Sequence, residues 1–170
     1  MAFDKTQLTN LLEEYKQALD LLDDYDHQNL AEVEGEPSSY KLDYAECKQV
    51  IENMRFGESS TLFGKEKDMS FFSSISAIYQ TAIGEEVYQT LEEKAANLLY
   101  FCTKNHSFLD GNKRIAATMF IYFLLKNNAL YKDGKKRISN QTLVALTILI
   151  AESKPEEKDT IIKLCCALLK

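Results

Sequence analysis

Hydrophobic residues recur at three- and four-residue intervals through much of the chain, which is the spacing of amphipathic helices. The first such stretch predicts a helix over 5–24, with acidic side chains on its other face. A second helix is predicted over 43–54. Between them, 26–39 is polar and contains glycine and proline, which predicts a loop. The apolar stripe of the first helix consists of Leu8, Leu11, Leu12, Tyr15, Leu19 and Leu22.

The middle of the chain alternates between irregular and helical patterns. Residues 56–70 show no periodicity, whereas 71–83 has the apolar spacing of a short helix. Thr90, followed three residues later by Glu93, predicts a capping box, in which each side chain bonds a free main-chain N–H of the other residue. The helix that begins there is predicted to end near Asn105.

The stretch 112–126 is apolar on nearly every side, so we predict that it is the central, enclosed helix of the fold. Asp133–Gly134 then marks a tight turn, as in a small hairpin. A helix is expected over 141–152, and a second capping box, Ser153–Glu156, begins the last one. The predicted fold class is therefore all-α, with helices packed around one buried helix.

Composition narrows the range of functions. The chain has 170 residues, of which 45% are hydrophobic, enough for a core in one domain of ordinary size. Acidic residues outnumber basic ones 26 to 20, giving a formal net charge of -6. Proteins that bind nucleic acid usually show the opposite balance, because phosphate contacts require Lys and Arg. Nucleic acid is not expected as the main partner.

The cysteines and the apolar stretches bear on the compartment. No two cysteines have the CxxC spacing of a zinc site, so we interpret all four as small buried residues of a reducing compartment. The first ten residues contain no apolar run, and the longest apolar stretch, 116–125, is about half of the ~20 residues that span a bilayer. We expect a cytoplasmic protein without a membrane segment. The cysteines are Cys47, Cys102, Cys165 and Cys166.

One polar stretch, 106–114 (HSFLDGNKR), lies between two predicted helices. Gly111 and Asn112 precede a helix whose first N–H groups have no internal partner, which favours an anion there. Lys113 and Arg114 add cationic donors where the helix dipole alone disfavours them, which also indicates an anion.

Two further side chains of this stretch suit the chemistry of phosphate groups. Asp110 offers a hard oxygen ligand of the kind that holds Mg²⁺ together with phosphates. His106 can take up a proton near neutral pH. A base, a carboxylate and an anion site together indicate phosphate-group transfer. Singly, each residue also has an ordinary structural interpretation, as a surface histidine, a common turn or a solvated pair of cations.

The same nine residues resemble the signature of the Fic/Doc family, HxFx(D/E)GN(G/K)R. The likeness extends more loosely over 71–169, whereas residues 1–55 resemble no family that we can assign. We therefore predict a helical extension over 1–55, packed on the core, and a Fic/Doc-like domain over 56–170. The positions that match the signature are His106, Phe108, Asp110, Gly111, Asn112, Lys113 and Arg114.

The resemblance implies a reaction. His106 would be the general base that deprotonates a Ser, Thr or Tyr hydroxyl of a target protein. Asp110 would bind Mg²⁺ on the phosphates of ATP. Phe108, under either interpretation, would anchor the loop in the core. A flap that docks the target in extended form would lie within about 71–88.

The resemblance also implies an anion site. The main-chain N–H groups of Gly111, Asn112 and Lys113 would form it, with Asn112 helping to order the loop. Arg114 would hold a phosphate as a charge-assisted donor.

Three positions depart from the pattern of AMP-transferring members. Lys113 stands where those have glycine, and Ala117 stands where they have a second arginine. Both resemble Doc-type members, in which the γ-phosphoryl group is transferred, so the choice between AMP and phosphoryl transfer stays open. Ser107 replaces the usual proline, which predicts a slightly looser loop.

Two functional classes remain open at this point. One is an ATP-dependent transferase, toxin-like in type, and the other is a catalytically degenerate Fic-fold module that binds or regulates. No segment has the inhibitory [S/T]xxxE[G/N] pattern of the family, and Ala117 leaves its glutamate no arginine to engage. Any restraint is therefore expected from a separate, antitoxin-like protein or from self-association.

Overall fold

The computed structural model of the chain describes residues 4–169, and more than half of them are helical, which confirms the all-α class. The elements follow in the order α1 (Lys5–Glu14), α2 (Lys16–Asp26), α3 (Tyr44–Arg55), α4 (Ser70–Ala77), β1 (Thr81–Ala82), β2 (Glu85–Glu86), α5 (Leu91–Asn105), α6 (Asn112–Lys126), β3 (Tyr131–Lys132), β4 (Lys135–Lys136), α7 (Asn140–Glu152), a 3-10 turn (Pro155–Glu157) and α8 (Lys158–Leu168).

The helix at the centre is α5 rather than α6. It packs against α4, α6, α7 and α8, and it buries polar as well as apolar residues. Lys94 is fully buried because its ammonium donates to Glu86 at 3.0 Å and to the carbonyl of Tyr88 at 2.7 Å. The more apolar α6 leaves Leu125 half exposed. The prediction that the helix over 112–126 is central was wrong. The sequence of α5 contains polar side chains, which indicate exposure, but in the structure these side chains are paired and buried.

The N-terminal helix predicted over 5–24 divides at Tyr15, where φ is -105° and ψ is 12°. Neither α1 nor α2 has a buried residue, and the six residues of their apolar stripe are 37–61% exposed. Packing on the core is instead provided by α3, through the fully buried Cys47 and Ile51. The division at residue 55 stays a prediction, and residues 1–3 and 170 lie outside the described part.

Two short antiparallel hairpins follow α4 and α6. The helix predicted over 71–83 ends at Ala77, and the rest of that range belongs to a hairpin. Ile83 and Gly84, with positive φ angles of 54° and 78°, turn the chain between β1 and β2. The turn predicted at Asp133–Gly134 is confirmed, since these residues connect β3 to β4.

The predicted helix starts agree with the structure in one case and differ in the other. The Thr90 hydroxyl accepts from the N–H of Glu93 at 3.1 Å, which is one of the two bonds of the predicted box. The second capping box is displaced by one residue, since the N–H of Lys154 donates to Glu157 at 2.8 Å. The Ser153 hydroxyl instead donates to the carbonyl of Ile150 at the end of α7.

Two predictions about the rest of the chain can be compared with the structure. All four cysteines are buried, as predicted, and burial raises the pKa of the Cys47 thiol to about 12. None of the helices within residues 4–169 combines the length and apolar character needed to cross a bilayer.

Candidate functional site

The stretch 106–114 connects the end of α5 to the first turn of α6. Two left-handed residues set its path: His106 closes α5 with φ 50° and ψ 53°, and Gly111 precedes α6 with φ 90°. A side chain at 111 would bring its Cβ within 2.3 Å of the Phe63 ring, which is fully buried. Glycine is therefore required at 111 both by the backbone and by this contact.

The inner half of the loop is buried and bonded to itself. The amide of Asn112 donates to the carbonyl of Phe108 at 2.8 Å and accepts from its N–H at 2.9 Å. Phe108 is 1% exposed, and its ring contacts the ring of Phe71 edge-on at a centroid distance of 4.9 Å. These contacts hold the loop against the core.

Ser107 connects the loop to the start of α4. The side chain is buried, and its hydroxyl lies 2.6 Å from the hydroxyl of Ser70. The serine thus makes a hydrogen bond to the start of α4 that a proline side chain could not make, and the slightly looser loop stays a prediction.

An irregular segment, 63–67, runs beside the loop and forms two isolated β-bridges with it. The N–H of Gly64 donates to the carbonyl of Asp110 at 3.1 Å, and the N–H of Lys67 donates to that of Ser107 at 2.8 Å. In the other direction, Leu109 donates to the carbonyl of Lys65 at 2.8 Å. The range 71–88 predicted for a flap does not include this segment. Sequence reasoning missed it because 56–70 shows no periodicity.

The outer half of the loop presents its polar side chains to an open cavity of about 250 Å³. The first main-chain bond of α6 runs from the N–H of Ile115 to the carbonyl of Gly111, so the N–H groups of residues 112–114 have no partner within the helix. This positive helix end can receive an anion. The cavity is lined by His106, Leu109, Asp110, Gly111, Asn112, Lys113 and Arg114, which include six of the seven predicted site residues.

Arg114 already contacts two carboxylates. One terminal nitrogen lies 2.5 Å from Glu58 and the other 3.5 Å from Asp110. The guanidinium also stacks over the Phe63 ring at 4.7 Å. Sequence reasoning did not find Glu58, which lies 56 positions before Arg114 and belongs to no motif.

His106 contacts a second residue that the sequence did not point to. The ammonium of Lys67 lies 2.8 Å from Nδ1 of the imidazole. An ammonium carries donors only, so Nδ1 accepts this hydrogen bond.

A metal ion would have a single carboxylate in this cavity. No group of three or more His, Cys, Asp or Glu side chains within residues 4–169 is arranged to hold a metal ion by itself. Asp110 opens into the cavity beside the positive end of α6. One carboxylate next to an anion site fits Mg²⁺ that arrives with the phosphates of a nucleotide and keeps most of its other ligands from them and from water.

Comparison with known proteins places this geometry in a family. The family model described as "Fic/DOC family" matches residues 21–124, well over half of the chain and including the whole loop. The chain belongs to the Fic/DOC family. No curated protein and no solved structure matches it. The Fic/DOC match begins at residue 21 and so includes part of the segment 1–55 that the sequence alone left unassigned.

Proposed function

We propose that this Fic/DOC protein is a transferase that moves a phosphate-containing group from ATP to a hydroxyl side chain of a target protein. Family membership supports transfer of AMP or of a phosphoryl group as the type of reaction. The observation that carries the proposal is the cavity in which His106, Asp110 and the cationic start of α6 lie together.

In the proposed reaction His106 takes the proton of the target hydroxyl. The hydroxyl oxygen then forms a bond to a phosphorus atom of ATP. If the attack is at the α-phosphorus, the α–β bridging bond breaks, pyrophosphate leaves and AMP is transferred. If the attack is at the γ-phosphorus, the β–γ bridging bond breaks and ADP leaves. General-base catalysis by a positioned histidine contributes about 10²–10⁴-fold in rate.

The phosphates would lie at the N-terminus of α6. The N–H groups of Gly111, Asn112 and Lys113 and the guanidinium of Arg114 would neutralise their charge. Asp110 would hold Mg²⁺, which would supply positive charge to offset the charge that develops on the phosphates.

The bond that breaks depends on how ATP lies in the cavity. Lys113 is exposed at the first turn of α6, and the half-buried Ala117 follows one turn later on the same helix. An arginine at 117, as in AMP-transferring members, would reach toward the phosphates from that turn. Its replacement by alanine favours the reversed, Doc-like orientation and hence transfer of the γ-phosphoryl group.

The test is incubation of the full chain with ATP labelled at either the α- or the γ-phosphate, in a lysate supplied with Mg²⁺. Label on a protein from the γ position only would establish phosphoryl transfer, and label from the α position only would establish AMP transfer. Label from neither position would favour a degenerate binding module over an enzyme.

A separate inhibitory, antitoxin-like protein remains the proposed source of restraint, because Ala117 offers no arginine to an internal inhibitory glutamate. A cytoplasmic location is proposed with it, in keeping with a reaction that consumes ATP.

A further inference from the structure

Lys67 is held where it can control the proton on His106. Its N–H donates to the carbonyl of Ser107, the residue next to His106, at 2.8 Å. Its backbone is thereby fixed beside the loop, and its ammonium reaches Nδ1 of the imidazole at 2.8 Å. The contact therefore joins two segments whose backbones are already hydrogen-bonded to each other.

The chemistry of the two groups determines where the imidazole proton lies. An ammonium has three donors and no acceptor, so the lone pair of Nδ1 is used by Lys67. The neutral ring must then carry its proton on Nε2. A general base needs a free lone pair directed at its substrate. With Lys67 in place, neither nitrogen of His106 offers one.

We infer that Lys67 is a positioning residue that holds His106 in this Nε2–H form in the unliganded protein, and that a phosphate group draws Lys67 away and so frees the base. The inference rests on the proposed function, since it takes His106 as the base and phosphate as the ligand.

The charges around Lys67 explain why a phosphate would displace it from His106. Within the described part of the chain, no carboxylate lies in ion-pair contact with Lys67, whereas Arg114 has Glu58 and Asp110. An ammonium and a phosphate attract each other as opposite charges, whereas a neutral imidazole offers the ammonium only a lone pair. An ammonium that faces a neutral imidazole therefore gains by moving to a phosphate oxygen.

The release needs no further reactant. Once Lys67 has moved, the ring loses its Nε2 proton to water and takes one up on Nδ1, with no net change in charge. The lone pair of Nε2 is then free to accept the proton of the target hydroxyl, which leaves an imidazolium.

The experiment is nitrogen-15 NMR of the full chain labelled at histidine, at a pH where both imidazoles are neutral. The chain has two histidines, and His27 is an internal reference because the opposite tautomer is expected for it. Its Nδ1 faces two acceptors of Asp23, the carbonyl at 2.9 Å and the carboxylate at 3.2 Å, and must therefore carry the proton. Wild-type protein should show Nε2–H for His106 and Nδ1–H for His27.

Three variants test the role of Lys67 in this pattern. Lys67→Met should displace the His106 Nδ1 signal toward that of a mixture of tautomers, and Lys67→Arg should restore the wild-type pattern because a guanidinium also only donates. Lys65→Met, two residues earlier on the same segment, is the matched control and should change neither histidine. An Nδ1 signal of His106 that is identical in wild type and Lys67→Met would overturn the inference.

Titration with inorganic pyrophosphate tests the release. In the wild type it should displace the Nδ1 signal in the direction of Lys67→Met, and in Lys67→Met it should add no further displacement. Pyrophosphate that binds by calorimetry without moving the wild-type signal would overturn the release step. Pyrophosphate that does not bind would overturn the release step together with the proposed phosphate site.

The outcomes separate this inference from the proposed function. A Lys67-dependent tautomer in a protein that transfers no label would retain the positioning role and remove the transferase. Label transfer by a protein whose His106 signal does not depend on Lys67 would retain the transferase and remove the positioning role.

Discussion

The loop 106–111 and the hairpin 81–86 are both short connections that turn through left-handed residues, yet they differ in what surrounds them. In the hairpin, Ile83 is fully exposed and nothing lies within 4 Å of where a Cβ of Gly84 would be. In the loop, the Phe63 ring fills that space at Gly111. The same backbone device thus makes a solvated turn in one place and a fixed platform in the other.

The difference lies in the anchors. The loop has Phe108 and Ser107 inside the protein, and the amide of Asn112 bonds the main chain of Phe108. The strands of the hairpin are exposed at every residue. A site that must hold a base and phosphate donors in fixed positions benefits from such anchors, because misplacement of catalytic groups is costly in rate.

Replacing His106, which lies in the exposed half of the loop, should have the largest effect on the transfer rate. His106→Ala should lower the transfer rate by about 10²–10⁴-fold while ATP binding stays near the wild-type level. The measurement is label transfer from ATP alongside calorimetric binding. His27→Ala, which removes the other histidine, is the matched control and should leave the rate unchanged. A fully active His106→Ala protein would exclude this residue as the base.

Removing the two hydrogen bonds between the Asn112 amide and the main chain of Phe108 should lower the stability of the protein. Asn112→Ala leaves the N–H and the carbonyl of Phe108 without partners in a buried place, at about 1–3 kcal/mol for each group. We expect the free energy of unfolding in urea to fall by about 2–6 kcal/mol. Asn53→Ala, at an exposed position of α3, should change it by less than about 0.5 kcal/mol. Equal losses in the two variants would mean that these two hydrogen bonds do not stabilise the loop.

Gly84 in the hairpin and Gly111 in the loop allow the stability of the two connections to be compared directly. Gly84→Ala and Gly111→Ala both place a side chain on left-handed backbone, which costs about 1–2 kcal/mol. Only Gly111→Ala must also displace the Phe63 ring, and overpacking of this kind costs a further ~1–3 kcal/mol. Urea unfolding should therefore show the larger loss at 111. If the losses match, the ring contact carries no energetic weight.

Much of this contrast could be predicted from the sequence. Periodicity indicated the helices of the core, and the nine-residue motif indicated which loop lines the cavity at the start of α6. The sequence could not show which glycine meets a buried ring, because Phe63 is 48 positions before Gly111 and lies in a stretch without periodicity. The contacts of Lys67 and Glu58 were missed for the same reason, since they depend on the irregular path of the chain before α4 and not on any local pattern.

The prediction that the N-terminal helices pack on the core was wrong for a different physical reason. An amphipathic stripe predicts that a helix forms and which face is apolar, but not what that face covers. In α1 and α2 the face stays largely exposed, whereas the shorter stripe of α3 is buried through Cys47 and Ile51. Periodicity alone therefore does not separate a helix of the core from a helix beside it.

The smallest expected effect concerns Glu58, which occupies the face of Arg114 that a phosphate would need. The Arg114 side chain of this ion pair is half exposed, and pairs of this kind contribute about 0.2–1 kcal/mol. Glu58→Gln removes the competing charge, so the affinity for pyrophosphate should rise by up to about fivefold. Glu52→Gln is the matched control, because Glu52 makes a similar exposed pair with Arg55. The measurement is calorimetric titration of both variants with pyrophosphate. An affinity that rises equally in both variants would indicate a general effect of net charge. An affinity that falls in Glu58→Gln alone would mean that Glu58 positions Arg114 for the phosphate instead of competing with it.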